Sequence, residues 1–171
     1  MGQTNSMTVL SEYKVIGGLL GLGPDIFLEI LSEIRYYQYL IQLLGGCVGI
    51  AQETYNFPVG TFANYCPHNQ HIGIYYGSGL YGAVCCKGTE TKGNSYFYNN
   101  QTVKLEFDSE KGTLIFFVNG LQQPVYISGI KEKVRFVIFM FWEGSSCTIK
   151  SLKNLKSPTS GHVKNEKAIQ W

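Results

Sequence analysis

Charged residues are scarce in this sequence, and neither sign of charge dominates. Lys, Arg, Asp and Glu make up 15% of the 171 residues, whereas hydrophobic residues make up 44% and aromatic residues 14%. Because disordered chains are rich in charge and poor in aromatic side chains, this composition predicts a folded chain of about one ordinary domain. The net charge of +2 favours no polyanionic partner, so we expect no binding to nucleic acid.

Long hydrophobic runs and disulfide spacing are also missing. Residues 15–22 are apolar, but Asp25 and Glu29 interrupt any extension toward the roughly 20 apolar residues that a membrane helix needs. The five cysteines are an odd number without the spacing of a disulfide framework, and no secretory signal precedes them. These features predict a reducing compartment and a cytoplasmic protein.

The sequence also lacks the motifs of metal sites and enzymes. Cys66, His68 and His71 are close enough in sequence to be considered as zinc ligands, but no fourth ligand stands at a matching spacing. The carboxylates of Asp108 and Glu110 fall in or beside a predicted turn, where solvent is the expected environment. We therefore predict no metal, no cofactor and no enzymatic activity.

The clearest structural pattern begins at residue 102. In residues 102–108 hydrophobic and charged side chains alternate, as they do in a strand that is buried on one face. After a turn, residues 113–118 (TLIFFV) are apolar and rich in strand formers, and they end at Asn119-Gly120, a dipeptide typical of tight turns. The pattern predicts a β-hairpin.

Further strands are predicted after this hairpin. Residues 124–127 form a short apolar run, and residues 135–142 (RFVIFMFW) form the most apolar segment of the chain, as expected for a strand covered on both faces. Residues 147–152 are predicted to form a last strand. Residues 156–171 gather Pro, Ser, Gly and Lys, so we predict a flexible tail there.

The sequence contains, in this order, the motif G-T-L-I-F-F-V-N-G, the dipeptide P-V, a long apolar strand ending in W-x-G, and a final T-I-x-S-L strand. Together these motifs resemble the C-terminal half of a SPRY (B30.2-like) domain. Upstream, I-G-I at 72–74 resembles the I-G-F strand of that family, and C-K-G-T-E-T-K-G-N at 86–94 resembles its D-G-x-x-x-x-G turn. The resemblance implies a mainly β protein with an antiparallel β-sandwich over residues 58–155. The first strands of the family have no recognisable counterpart, which leaves open a sandwich truncated on its N-terminal side.

The residues before the sandwich show helical periodicity. An arm of residues 1–23 precedes Pro24 and Asp25, which are typical of a helix start, and apolar residues then recur on one face. A second helix is predicted at residues 39–44, before Gly45. The sequence thus predicts one or two short helices within residues 24–52, with a domain boundary near residues 53–58.

This helical segment resembles two families. L-G-P-D-I-F-L-E-I-L-S-E-I with Y-L-I-Q-L-L-G-G-C resembles the start of an F-box, the helical motif that docks on a Skp1-type adaptor of cullin ubiquitin ligases. The same residues resemble the αC-to-β4 stretch of protein kinases, but the glycine-rich loop, H-R-D and D-F-G motifs are absent, which excludes kinase activity. A degenerate kinase-derived fragment and a helix that simply packs on the sandwich both stay open.

The first residues fit the M-G-x-x-x-[ST] pattern of N-myristoylation, in which Gly2 is acylated. A single acyl chain gives only marginal membrane binding, and Lys14 alone offers no polybasic second signal. Membrane association is therefore expected only if Gly2 is acylated, and a membrane-tethered signalling accessory is the alternative function.

Aromatic residues near predicted turns indicate a binding surface. In SPRY domains that bind short peptides, the tryptophan of a V-W-G segment lines the pocket, and F-W-E-G here resembles it with Glu143 inserted. We predict a partner-binding site centred on Trp142, with Tyr76, Tyr81 and Glu143 as neighbours. The sequence thus predicts a non-enzymatic protein-interaction module, either a substrate receptor of a cullin-type ubiquitin ligase or an adaptor, and core packing is the alternative for the tyrosines.

Overall fold

The computed structural model describes residues 13–16, 36–44, 46–58, 60–77, 81–141 and 145–171. Almost all regular structure in these residues is β, with one short 3₁₀ helix at His68–His71. The strands are β1 (Tyr13–Ile16), β2 (Tyr36–Leu44), β3 (Gly46–Gln52), β4 (Ile72–Tyr76), β5 (Val84–Cys86), β6 (Thr89–Thr91), β7 (Thr102–Asp108), β8 (Thr113–Val118), β9 (Leu121–Gln122), β10 (Val125–Ser128), β11 (Val134–Met140), β12 (Ser146–Asn154) and β13 (Lys167–Gln170).

The described strands form two sheets. The eight-stranded sheet has the order β1-β12-β2-β7-β8-β10-β13, with β9 paired to β8, and the five-stranded sheet has the order β11-β3-β4-β5-β6. Neighbouring strands are antiparallel except for β10 and β13, which are parallel. The predicted mainly β, antiparallel sandwich is thereby confirmed.

The predicted hairpin forms β7 and β8. Leu105 of β7 pairs with Phe116 of β8, and both side chains are buried. The turn after β8 has positive φ angles at Asn119 (48°) and Gly120 (83°), residues that tolerate this conformation. Alternation in the sequence thus places one face of the hairpin in the core, as predicted.

The main core lies between the two sheets. The rings of Tyr75 in β4 and Phe116 in β8 lie 5.1 Å apart, and those of Phe107 in β7 and Phe136 in β11 lie 6.5 Å apart. Each pair joins one sheet to the other. These buried contacts hold the sandwich together, since apolar area removed from water is the dominant favourable term in folding.

The five-stranded sheet also has apolar residues on its outer face. We call them the outer cluster: Cys47, Ala51, Ile72, Ile74, Tyr76, Val137 and Phe139, with Ala63 from the loop before β4. Phe57, Cys85 and Phe141 are partly buried against it. A sheet with hydrophobic residues on both faces needs a cover on each, which explains why β4 is buried throughout.

The predicted second helix is wrong, because residues 39–44 lie within β2 and residues 46–52 form β3. β2 pairs with β12 on one edge and β7 on the other, and β3 pairs with β11 and β4. Pairing on both edges satisfies the backbone, and short apolar runs fit a strand as well as a helix. The first predicted helix begins at Pro24; residues 24–35 lie outside the described residues, and β2 begins at Tyr36.

The predicted domain boundary near residues 53–58 falls inside the sandwich, since β2 and β3 belong to it. β1, β2 and β3 supply strands on the N-terminal side of the region that resembles the SPRY family. The N-terminal side of the sandwich is therefore built from residues that the sequence assigned to an arm and to helices.

The predicted flexible tail also needs correction. β13 (Lys167–Gln170) pairs with β10, and Ile169 and Trp171 pack against the main core. Earlier in the same segment, the backbone amides of Thr159 and Ser160 donate to the buried carboxylate of Glu106, at 3.0 and 2.9 Å. The composition of the segment could not predict these contacts, because they involve a few single residues in a polar stretch.

Candidate partner-binding surface

One end of the five-stranded sheet gathers the loops that carry the predicted site. β4 and β11 both run antiparallel to β3, which lies between them, so they run in the same direction. The segments that follow β4 and β11, which begin at Gly77 and Phe141, therefore leave the sheet at the same end. We call this the loop end.

The two predicted tyrosines differ in their exposure to solvent. Tyr76, the last residue of β4, is only 2% exposed and belongs to the outer cluster, whereas Tyr81 in the following loop is 72% exposed. Tyr81 is available to a partner, but Tyr76 supports the surface from beneath. Trp142 and Glu143 lie outside the described residues, as does Gly2.

Tyr76 lies under Phe141, the residue that precedes Trp142. Their rings stack with centroids 6.2 Å apart and planes 17° from parallel. The Tyr76 hydroxyl is buried and has no hydrogen-bond partner in the described part of the chain. Burial, with smaller contributions from Cys47 and Cys85, raises the pKa of this hydroxyl and keeps it neutral.

A shallow, mostly apolar pocket opens beside Phe141. One wall is the loop segment from Gly60 to Ala63, and the other is the end of β11 with Phe139, Met140 and Phe141. Pockets that are mostly apolar with a few polar groups are the usual form of a binding site. The pocket therefore lies immediately before the position at which the sequence predicts the binding tryptophan.

The loop before β4 is fixed by specific contacts. The Arg135 guanidinium donates hydrogen bonds to the carbonyls of Glu53 (3.1 Å) and Tyr55. Phe57 packs edge-on against Phe139 with 5.5 Å between ring centroids. Ala63 on the pocket wall is buried in the outer cluster, so the sheet also holds this wall, and a partner would meet a preformed surface.

Two histidines, His68 and His71, lie in the 3₁₀ helix directly before β4. Tyr55 stacks on His71 with ring centroids 3.7 Å apart, and its hydroxyl lies 2.7 Å from Nδ1 of His68. These contacts give both histidines a structural partner. Cys66, the third residue considered as a zinc ligand, is exposed, and the described residues contain no group of three or more metal-binding side chains.

Exposed aromatic residues lie on the pocket wall and elsewhere in the described chain. Phe62 on the pocket wall is 47% exposed and packs edge-on against Tyr65, which is 62% exposed. Tyr96 and Tyr98 form a second exposed pair with ring centroids 4.9 Å apart. Aromatic residues are enriched at interfaces because they bury much area at little entropic cost.

The second pair lies at the loop end as well. A Cβ on Gly82 would lie 2.5 to 2.7 Å from backbone atoms of residues 94–96, so the loop of Tyr81 packs directly on the segment that carries Tyr96. The aromatic surface is defined as Phe62, Tyr65, Tyr81, Tyr96 and Tyr98. Sequence analysis missed Phe62 and Tyr65 because residues 52–67 contain several turn-forming residues and no periodic pattern.

The Cys86 and Cys147 thiols are poorly suited to nucleophilic chemistry. All five cysteines are free, and burial raises the pKa of the Cys86 and Cys147 thiols to about 11.

Among the described residues, no helix is long and apolar enough to cross a membrane.

No family model and no curated protein sequence matches the chain. Solved structures do: the SPRY domain of human HERC1 superposes with a TM-score of 0.55 at 17% identity, covering 81% of this chain and 87% of that one. The PSpry domain of TRIM65 superposes with a TM-score of 0.58 at 10% identity, covering 74% and 68%.

Stonustoxin also matches, with a TM-score of 0.57 and 10% identity, covering 76% of this chain and 21% of the toxin chain. These identities are low, and the shared feature is the arrangement of strands. The chain therefore has the fold of a SPRY domain, as the G-T-L-I-F-F-V-N-G motif predicted.

Proposed function

We propose that this protein is an interaction module that binds a partner protein or peptide at the loop end of its five-stranded sheet. The observation that carries the proposal is the apolar pocket bounded by Phe62 and Phe141 and flanked by exposed aromatic residues. Trp142, directly after Phe141, would form the centre of the contact, with Glu143 on its rim.

The chemistry of the surface favours binding over catalysis. Phe62, Tyr65 and Tyr81 offer apolar area that water covers in the free protein, and a few such anchors usually carry most of the energy of an interface. The likeness to SPRY domains supports the same role. A peptide with one apolar anchor side chain matches the apolar lining of this pocket.

The finer form of the proposal is a substrate receptor of a cullin-type ubiquitin ligase. A helix that docks on a Skp1-type adaptor would have to lie within residues 24–35, because β2 and β3 occupy residues 36–44 and 46–52 of the F-box-like segment. The partner-binding role does not depend on this helix.

Affinity capture with mass spectrometry tests the proposal on the full chain. We compare the wild-type chain with Trp142→Ala and Phe62→Ala, and we use Leu121→Ala as the matched control. Leu121 is 72% exposed like Tyr81, but it belongs to β9 of the eight-stranded sheet. Residue truncation at an interface anchor commonly costs 2 kcal/mol or more, which is about thirtyfold in affinity.

We expect the same specific partner to be lost from both pocket variants and retained by Leu121→Ala. A Skp1-type adaptor that persists in both pocket variants would support the receptor form. Equal recovery of all proteins by all four chains would overturn the proposed site.

A further inference from the structure

A second candidate binding site lies at the other end of the five-stranded sheet, where β4 and β11 begin. It is a groove bounded by the edge of β10, by Gly73 at the start of β4, by Lys87 after β5 and by Glu132 before β11. In the structure, β13 and Trp171 fill this groove.

The backbone of β10 supplies the first recognition element. β10 pairs with β8 on one side, so without β13 it would be an edge strand with free hydrogen-bonding groups. The amides of Lys167 and Trp171 donate to the carbonyls of Pro124 and Ser128, both at 2.8 Å. This pairing recognises an extended backbone of any sequence.

The floor of the groove supplies the second element, which is specific for an aromatic ring. Gly73 has no side chain, and a Cβ there would lie 3.0 Å from the Trp171 ring and 2.4 Å from Ile127. The missing side chain is what admits the indole. Ile169, two residues earlier, packs against the main core.

Two charged residues supply the third element. The indole Nε1 of Trp171 donates a hydrogen bond to the Glu132 carboxylate at 2.6 Å, and the Lys87 ammonium lies 4.8 Å from the centre of the indole ring. Lys87 and Glu132 also form an ion pair at 3.6 Å. A carboxylate that accepts a hydrogen bond and a cation above the ring together fit tryptophan better than phenylalanine or leucine.

All walls of the groove belong to the sandwich, and its present occupant is a short segment that is anchored by Ile169 and Trp171 and pairs with one edge strand. β13 has four residues, pairs with one strand, and exposes Lys167, Ala168 and Gln170. We infer that the groove is a peptide-binding site for an extended segment of another polypeptide that carries an apolar residue and, two residues later, a tryptophan. The chain's own residues 167–171 occupy it in the absence of that partner.

The test uses the full chain and a fluorescein-labelled peptide with the sequence of residues 163–171. In the Trp171→Ala chain the occupant is weakened, so we expect the peptide to bind, measured by fluorescence anisotropy, at least tenfold more tightly than to the wild-type chain. The same peptide with alanine in place of Trp171 is the matched control and should bind at least tenfold more weakly. Adding Glu132→Ala to the Trp171→Ala chain should reduce binding by a similar factor.

A second variant protects the test against loss of folding. Lys167→Pro removes the hydrogen bond to Pro124 but leaves the indole and the groove intact. If Trp171→Ala gives no cooperative thermal transition, Lys167→Pro decides instead, with saturable peptide binding expected. A wild-type dimer that the peptide converts to monomer in light scattering would identify a second copy as the partner.

Absence of saturable binding to a variant that unfolds cooperatively would overturn the inference. Equal binding of the tryptophan and alanine peptides would overturn it too, because the indole would then contribute nothing. Neither result bears on the pocket at the loop end, which lies at the opposite end of β11.

Discussion

The outer faces of the two sheets are covered by different kinds of contact. On the five-stranded sheet, the loop before β4 covers the outer cluster with apolar side chains, such as Phe57 against Phe139 and Ala63. On the eight-stranded sheet, the segment after β12 crosses β7 and is held by a polar anchor, the carboxylate of Glu106.

The polar cover is directional. Glu106 is 2% exposed and accepts hydrogen bonds from the amides of Thr159 and Ser160 and from the Thr159 hydroxyl. Lys104 lies 3.4 Å from the same carboxylate, 2.6 Å from the Thr159 hydroxyl and 3.5 Å from the centre of the Phe117 ring. Such a network accepts one arrangement only.

The apolar cover is not directional, and this difference has a functional consequence. Apolar contacts depend on buried area and tolerate alternative packing, so a loop held by them can leave a pocket for a partner's side chain. Charge-assisted hydrogen bonds fix position and depend on protonation. We therefore expect binding at the five-stranded face and anchoring at the eight-stranded face.

The largest effect is expected where the apolar cover meets the sheet. Phe139→Ala should lower the free energy of unfolding by about 3–5 kcal/mol, because it leaves a cavity beneath Phe57. Urea denaturation of the full chain measures this. Phe62→Ala, which truncates a half-exposed ring on the same pocket, is the control and should cost less than about 1 kcal/mol. A change near zero for Phe139→Ala would refute the buried outer cluster.

Neutralising Glu106 in the polar cover should lower the free energy of unfolding by less than Phe139→Ala does. Glu106→Gln keeps one acceptor for the amides but removes the charge and one carboxylate oxygen, so we expect a loss of about 1–3 kcal/mol. The control is Glu90→Gln, since Glu90 forms an exposed pair with Lys92 at 3.7 Å, worth at most about 1 kcal/mol. Equal losses in the two variants would remove the special role of Glu106.

Of the two covers, only the polar one should contribute a stability that depends on acidic pH. Burial raises the pKa of Glu106, but the hydrogen bonds from Ser160 and Thr159 and the charge of Lys104 outweigh it, so the folded-state pKa lies below the ordinary 4.5. A depressed folded-state pKa gives stability that is present above pH 4.5 and lost as the pH falls through the lower value. The advantage of the wild-type chain over Glu106→Gln should therefore shrink below pH 4.5.

Urea titrations of both chains between pH 7 and pH 3 would measure this effect, with Phe139→Ala as the apolar comparison. The difference between wild type and Phe139→Ala should change little over the same range. A wild-type advantage over Glu106→Gln that stays constant to pH 3 would contradict the anchoring role.

The smallest effect is expected at Tyr76. Its buried hydroxyl has no partner among the described residues, so Tyr76→Phe removes a desolvation cost and should raise stability by up to about 1 kcal/mol. Thermal unfolding measures this, with Tyr75→Phe as the matched control, because the Tyr75 hydroxyl donates to the carbonyl of Ser95. A loss of stability in Tyr76→Phe would reveal a hydrogen bond in the folded protein.

The β7–β8 hairpin could be predicted from the sequence because its two strands are local partners. β7 and β8 are joined by a short turn, so the alternation in residues 102–108 and the Asn119-Gly120 turn were enough to identify them. β2 differs, because its partners β7 and β12 come much later in the chain. Its short apolar run fits both periodicities, and only the distant strands decide between them.

The tail and the pocket were missed for a related reason. Glu106 and Thr159 are 53 residues apart, and a single buried carboxylate leaves no trace in composition. At the site, the sequence identified turn-prone aromatic residues but could not distinguish the buried Tyr76 from the exposed Tyr81, since both stand beside glycines. Phe62 has no signal of its own, because its role comes from a loop folded over β11.

Site-specific photocrosslinking on the full chain tests the central claim most directly. A photoreactive phenylalanine replaces Phe62 in one chain and Leu121 in another, and crosslinked partners are identified by mass spectrometry. The account predicts that position 62 captures a protein that the Trp142→Ala chain fails to recover, and that position 121 does not capture it. Capture of the same protein at both positions, or only at position 121, would contradict a binding surface at the loop end.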